Sequence, residues 1–334
     1  MPHRHVVFSI PKILRRHFLY DRKLLSELSR CVWKTLKLYL KSFVPQKDAV
    51  PGAVIAIQTF GDFLGFNPHC HVLCTDGCFM GTGSFRVAPL FGRKDLGKIF
   101  RHQVFRMLLS KGKITEELIS MLMCWRHSGF NVFCGPRIYP RDETAMENLA
   151  RYIIRASFSQ ERMSYLEEEA QVLYRSKDGK EEKIFDALEW LAAMCSHVPG
   201  KGEQMVRYYG YYSNVCRGKR RKENQDEWIP WILEPDVSSK GSKKRWARLI
   251  RKIYEVDPLV CPKCKGQMRI IAFIEKQEIV KKILKHLGLY LVRSRPPARA
   301  PPRDLWLSSP YSQVPDSDDY LHTDPEYCVD DYLS

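Results

Sequence analysis

The sequence predicts an α+β fold, and three observations carry that reading. Compact β-rich runs bounded by Gly, Pro and Asp cluster in the first ninety or so residues; segments with apolar residues at helical spacing separate and follow them; and Asp76-Gly77 is a favoured hairpin signal. A small Cys-x-x-Cys module and an acidic tail complete the chain. Its 334 residues imply about two domains with room for a proper core.

Residues 6–10 form a short β-like run. From Asp21 onward, Leu24, Leu25, Leu28, Val32, Leu36 and Leu40 recur at helical spacing, so this helix packs one face on a core. Residues 54–60 lie between Pro51-Gly52 and Gly61-Asp62 and read as a buried strand; 69–75 read as the next, closed by Asp76-Gly77 and followed by a β-like piece at 83–87. Residues 94–125 and 147–155 read as helical, 165–175 with Lys177-Asp178-Gly179-Lys180 as a hairpin, and 184–195 as an amphipathic helix stopping near Pro199-Gly200. The expected domains are 1–216 with the chemistry, a basic DNA-binding linker at 217–252, a small module at 253–291, and a Pro-rich acidic tail at 292–334 that cannot bury enough apolar surface to fold.

A net charge of +16 points to a polyanionic partner. The charge is unevenly spread: residues 305–334 contain seven acids and no Lys or Arg, while 217–252 hold twelve basic residues against five acids. With 44% hydrophobic residues the chain is not wholly disordered, and no apolar run approaches the ~20 residues that span a bilayer. The start lacks the apolar region of a secretory signal, so a cytoplasmic location is expected, and the eleven cysteines read as thiols or metal ligands rather than bridges.

In a strand, side chains at i and i+2 share a face, so His69 and His71 project together, half of a divalent-metal site; two satisfied histidines are the plainer alternative. The second constellation is Val206-Arg207-Tyr208-Tyr209-Gly210-Tyr211-Tyr212-Ser213-Asn214. On a helix, Tyr208 and Tyr212 stand at i and i+4 on one face, and a tyrosine is a workable covalent nucleophile for DNA. The alternative is an aromatic and basic platform that stacks bases and binds phosphates. Tyr152 is a rival nucleophile that lacks a tyrosine at i+4. The basic run Arg217, Lys219, Arg220, Arg221, Lys222, Lys243, Lys244 and Arg245 reads as a DNA-phosphate track with steep salt dependence. Cys261 and Cys264 have the spacing of half a zinc ribbon, without a second close pair.

The segments Arg4–Lys12, Phe66–Leu73, Val206–Asn214, and Cys261-Pro262-Lys263-Cys264 with Met268–Ile274 occur in this order. Together, over roughly residues 4–290, they resemble the insertion sequence ninety-one family of bacterial transposases, the two-tyrosine HUH endonucleases. That resemblance implies a central antiparallel sheet carrying the His pair, flanked by helices, one of which presents the tyrosines. It further implies Mg²⁺ or Mn²⁺ on His69 and His71, with Gln58 the candidate third ligand, and zinc as a possibility at Cys261 and Cys264. Tyr208 and Tyr212 match the two catalytic tyrosines, which would cut and rejoin single-stranded DNA at transposon ends and target through a 5′-phosphotyrosine in rolling-circle transposition. Full-length relatives carry a Cys-rich zinc-binding domain ahead of the Arg4–Lys12 segment, so a copy without that domain is expected. The alternatives are an inactive DNA-binding remnant, which binds without nicking, and a His-based metal phosphohydrolase, which cuts without an adduct.

Overall fold

The central sheet is built on two strands buried almost along their whole length, Gly52–Phe60 and Phe66–Thr75. Strands β1 (His3–Ser9), β2 (Gly52–Phe60), β3 (Phe66–Thr75), β6 (Asn131–Ile138) and β10 (Val206–Gly210) lie in the order β10-β2-β3-β1-β6, every neighbouring pair antiparallel. The computed structural model describes residues 1–223 apart from 45, 82, 90, 126–128, 154–155 and 177–178, together with 230–233, 250–251 and parts of 257–287. The 292–334 tail, Lys243, Lys244 and Arg245 lie outside the described residues.

One face of this sheet is apolar: Val6 and Phe8 of β1, Ile55 and Ile57 of β2, and Cys70 and Val72 of β3 are all buried. Helices α1 (Lys12–Tyr20), α2 (Lys23–Lys41) and α3 (Arg93–Ser110) cover it, contributing Leu14, Phe18, Leu28, Val32 and Phe100 to one continuous core. All six apolar positions expected on one face of α2 are buried. Each such side chain contributes about 1.5–3 kcal/mol of transfer free energy, which outweighs the weak intrinsic preference of any single segment. The helix expected over 94–125 is two: α3 ends before Gly112, whose φ of 62° stops it, and α4 (Glu116–Cys124) restarts where the Thr115 side chain accepts from the Leu118 amide.

The Asp76-Gly77 signal does not fold β3 back on itself. The chain runs on into a second sheet, where β4 (Gly77–Phe79) pairs antiparallel with β5 (Ser84–Val87), and β11 (Trp231–Leu233) adds parallel to β5. The reason is at the corner. Asp76 is fully buried between the guanidiniums of Arg4 on β1 and Arg137 on β6, and at Gly77 the Arg86 carbonyl passes where a Cβ would sit 2.1 Å away.

Helix α5 (Glu143–Ile153) precedes a third sheet, the meander β7 (Met163–Leu166), β8 (Gln171–Arg175), β9 (Glu182–Asp186). The hairpin expected at 165–180 is present as β8–β9, with β7 added before it. The helix expected from Ile184 starts three residues later, as α6 (Ala187–His197), because the Asp186 side chain caps the Leu188 and Glu189 amides. Val172, Tyr174 and Trp190 form a second small core here with Leu64.

The chain then returns as β10 and turns into α7 (Asn214–Lys222), so Arg217–Lys222, expected in a linker, are helical. A final helix, α8, spans Gln277–His286. Among the described residues no helix is long and apolar enough to cross a membrane.

Candidate active site

The sheet face opposite the core carries a polar patch among apolar residues. Register places Gln58 of β2 opposite His69 of β3, Ala56 opposite His71 and Val54 opposite Leu73; on the other side Val7 of β1 lies opposite His71 and His5 opposite Leu73. Directly opposed residues share a face, so His5, His69, His71 and Gln58 converge on one patch of the sheet.

Both expected imidazoles are buried, His69 at 5% and His71 at 1% exposure. His69 Nδ1 lies 2.7 Å from the Asn67 carbonyl, which only accepts, so the proton is on Nδ1 and Nε2 carries the lone pair. The His71 ring stacks on His5 at 5.3 Å between centroids, with Nδ1 3.1 Å from His5 Nε2. Burial pushes the His5 imidazole down to about 4, so this partner is neutral at physiological pH. His5 belongs to a second His-x-His, His3-Arg4-His5, a signal that points to the same face and that a search for one pair passes over.

Gln58 is 5% exposed. Its Nε2 donates to the Ile153 carbonyl at the end of α5, 2.7 Å away, while its Oε1 is buried with no hydrogen-bond partner among the described residues. An orphaned buried oxygen costs about 1–3 kcal/mol unless something binds it. Two imidazoles and an amide oxygen on one face fit a divalent cation of the Mg²⁺ or Mn²⁺ kind, which takes few protein ligands and keeps open positions. Among the described residues no three His, Cys, Asp or Glu side chains gather at a point, so the amide is needed to complete the set.

The tyrosines are not on a helix. Tyr208 and Tyr209 lie in β10, where Tyr209 points to the core side, stacked on Trp33 at 5.5 Å with its hydroxyl 2.9 Å from Ser29 Oγ. Tyr208 pairs with Val54 and takes the opposite side, the face of the His pair, at 53% exposure. Gly210 ends the strand at φ 59°, and Tyr212 follows in the turn. Its ring packs where a Gly52 side chain would be, and its hydroxyl is 2.6 Å from His3 Nε2. Burial pushes the Tyr212 phenol well up, so it stays protonated. The physical reason for the strand is alternation: a β-strand buries Tyr209 and exposes Tyr208, and the sequence Val-Arg-Tyr-Tyr suits a pleated surface. Tyr211 packs too, stacked on Phe79 at 3.5 Å.

On α7, Arg217, Lys219, Arg221 and Lys222 are exposed, whereas Arg220 turns inward over the Tyr211 ring and donates to the Tyr211 carbonyl at 2.7 Å. The Lys265 amide donates to the Cys261 carbonyl, and among the described residues no group of three His, Cys, Asp or Glu includes Cys261 and Cys264.

Comparison with known proteins puts the chain in the class of DNA-processing proteins that are transposases. A family model described as "Putative transposase" matches residues 52–220, which include Gln58, the His pair, α5 and β10. The chain belongs to this family of two-tyrosine transposases, as its sequence resemblance implied. It is 23% identical over 295 residues to "Transposase for insertion sequence element IS801" of Pseudomonas savastanoi pv. phaseolicola, covering 82% of this chain and 68% of that one. It is 25% identical over 298 residues to "Putative transposase y4qJ" of Sinorhizobium fredii, covering 81% and 73%. No solved structure matches the chain.

Proposed function

We propose that this transposase cuts and rejoins single-stranded DNA on the His69–His71 face through a tyrosine–DNA intermediate, with Tyr152 as the nucleophile. One observation carries the choice of tyrosine: the hydrogen bond from Gln58 Nε2 to the Ile153 carbonyl, which ties the last turn of α5 to the residue opposite His69. Tyr152 is the neighbour of Ile153 in that turn. That hydrogen bond brings the backbone of the last turn of α5 to the residue opposite His69, whereas the half-buried Tyr212 hydroxyl is held by His3.

The chemistry needs no energy source. The tyrosine oxygen bonds to the scissile phosphorus as the bond from phosphorus to the 3′ oxygen breaks; the phenol gives up a proton and the departing 3′ oxygen gains one. The 5′ end is held as a phosphotyrosine, the free 3′ hydroxyl primes replication in a rolling-circle scheme, and attack by a 3′ hydroxyl reverses the step. His69, His71 and the Gln58 oxygen would hold Mg²⁺ or Mn²⁺, which supplies positive charge to the scissile phosphate. His5 and the Asn67 carbonyl orient the two imidazoles.

A second reading keeps the pair Tyr208 and Tyr212, because Tyr208 is exposed on the same face of the sheet as His71. Incubation with labelled hairpin-containing single-stranded DNA and Mn²⁺ decides between them. Wild type is expected to form a denaturation-resistant adduct that Tyr152→Phe abolishes and the Tyr208→Phe/Tyr212→Phe double variant retains. The reverse pattern returns the role to the pair. Cleavage without any adduct identifies a metal phosphohydrolase, and salt-sensitive binding without cleavage identifies a DNA-binding remnant.

A further inference from the structure

β10 is the outer strand of the central sheet, and a cleft of about 480 Å³ runs along it. Arg30 of α2, Arg207 and Tyr208 of β10, Gln204 and Asn214 line it, and among the described residues no carboxylate does. Arg207 Nε donates to the Gln204 carbonyl, which fixes the guanidinium at the rim, and Arg30 holds Glu27 at 2.8 Å in an exposed pair one helical turn apart. Such surface pairs are weak and exchange readily for a stronger anion, and the guanidinium fork matches phosphate oxygens.

From these residues we infer that the cleft is a second DNA-contact site, holding the single strand that flanks the scissile phosphate, with phosphates on Arg30 and Arg207 and a base stacked on Tyr208. The inference rests on the DNA-cleaving function proposed above and adds residues that the basic run does not include. Three observations favour nucleic acid as the occupant. Among the described residues of the cleft, two cations, only one of them held by a surface carboxylate outside the lining, select an anion. The half-exposed Tyr208 ring offers a π-face, which single-stranded binding uses without regard to sequence. The position is the open edge of the sheet: Tyr208 lies opposite Val54 on the His face, two strand widths, about 10 Å, from the strand bearing the pair, whereas Arg207 lies opposite Ile55 on the α2 face with Arg30, so the bound strand would pass around the β10 edge from one face to the other. At the other end Asn214 opens α7, whose Arg217, Lys219, Arg221 and Lys222 are exposed and continue the same charge.

Fluorescence anisotropy of the full chain with a labelled oligothymidylate, over a range of salt, tests this. The Arg30→Gln/Arg207→Gln variant is expected to bind about tenfold more weakly at low salt. Its slope of log K against log salt should be shallower by about 1.4, the value for two lost contacts on a single strand. Arg30→Lys/Arg207→Lys should keep the wild-type slope. A Gln variant with wild-type affinity and slope, in a protein that binds oligothymidylate and forms the adduct, overturns the cleft and leaves the cleavage reading standing. Weaker binding with an unchanged slope and a lowered melting temperature also overturns it, since the loss is then one of folding. Wild-type protein that neither binds the oligonucleotide nor forms an adduct overturns the cleavage reading itself, and the cleft with it.

Discussion

At the scale of single residues, two positions hold the polar face in place. Gly210 ends β10 at φ 59°, and a Cβ there would lie 2.0 Å from the Pro51 carbonyl oxygen and 2.5 Å from the Trp33 ring. Gly210→Ala therefore meets both a strained backbone and a clash, and it should lower the unfolding free energy by at least about 1–3 kcal/mol, read as a lower urea midpoint at unchanged m value. Asp76 has a different duty. Burial raises its carboxyl while Arg4 and Arg137 pull it down, and the three groups tie the end of β3 to β1 and β6. Asp76→Ala leaves two guanidiniums facing each other, one 15% and the other 22% exposed, and should cost about 3 kcal/mol, the lower end for breaking a buried pair.

At the scale of elements, the junction between β2 and α5 is the part of the site that chemistry depends on. Gln58→Leu keeps the volume and removes both the bond to Ile153 and the free oxygen. Two outcomes are expected together: faster amide exchange across 143–153, and Mn²⁺ binding weakened about tenfold or more, as for ligand-shell losses elsewhere. Unchanged Mn²⁺ affinity with faster exchange would reduce Gln58 to an anchor. The strands that build this junction were legible because β2 and β3 are apolar runs closed by Pro51-Gly52 and Asp76-Gly77, and α2 because its six apolar residues keep helical spacing. β6 was not, because Gly135 and Pro136 interrupt Asn131–Ile138 and read as breakers, although the strand carries them at the sheet's outer position. β10 was misjudged for another reason: tyrosines at i and i+4 satisfy a helix and an alternating strand alike, and the choice was made by Trp33 and Ser29, distant in sequence, which bury Tyr209. The His pair and Gln58 were expected as ligands from spacing and resemblance, and strand register puts them on one face; that His5 lies beside them required the register of β1 on β3.

At the scale of the whole molecule, the third sheet and α6 are joined to the central sheet through His197. This side chain, 8% exposed at the last residue of α6, donates from Nε2 to the Leu64 carbonyl at 2.8 Å. Its Nδ1 is therefore the acceptor from the Thr59 hydroxyl on β2, 3.1 Å away, and the ring stacks on Phe66 at the start of β3. The turn it holds is a strained one, with Phe63 and Leu64 at φ 51° and 55°, and it leads directly into the strand of the His pair. Burial first, and the nearby Arg22 charge, lower the His197 imidazole below its ordinary value, against the opposing effect of the Leu64 carbonyl. The sign of the pH effect follows. Below about 6.5 the unfolded chain takes up a proton that the folded ring refuses, so the contribution is complete above that pH and is lost as pH falls toward the folded value. Melting temperatures at pH 7.5 and 5.5 should therefore fall further for wild type than for His197→Gln, whose amide can still donate to Leu64 but does not titrate. Equal falls in the two proteins would assign the acid sensitivity to another group. A larger fall in the variant would show the neutral ring to be replaceable only at a structural cost that grows with acid, the opposite of the linkage derived from its burial.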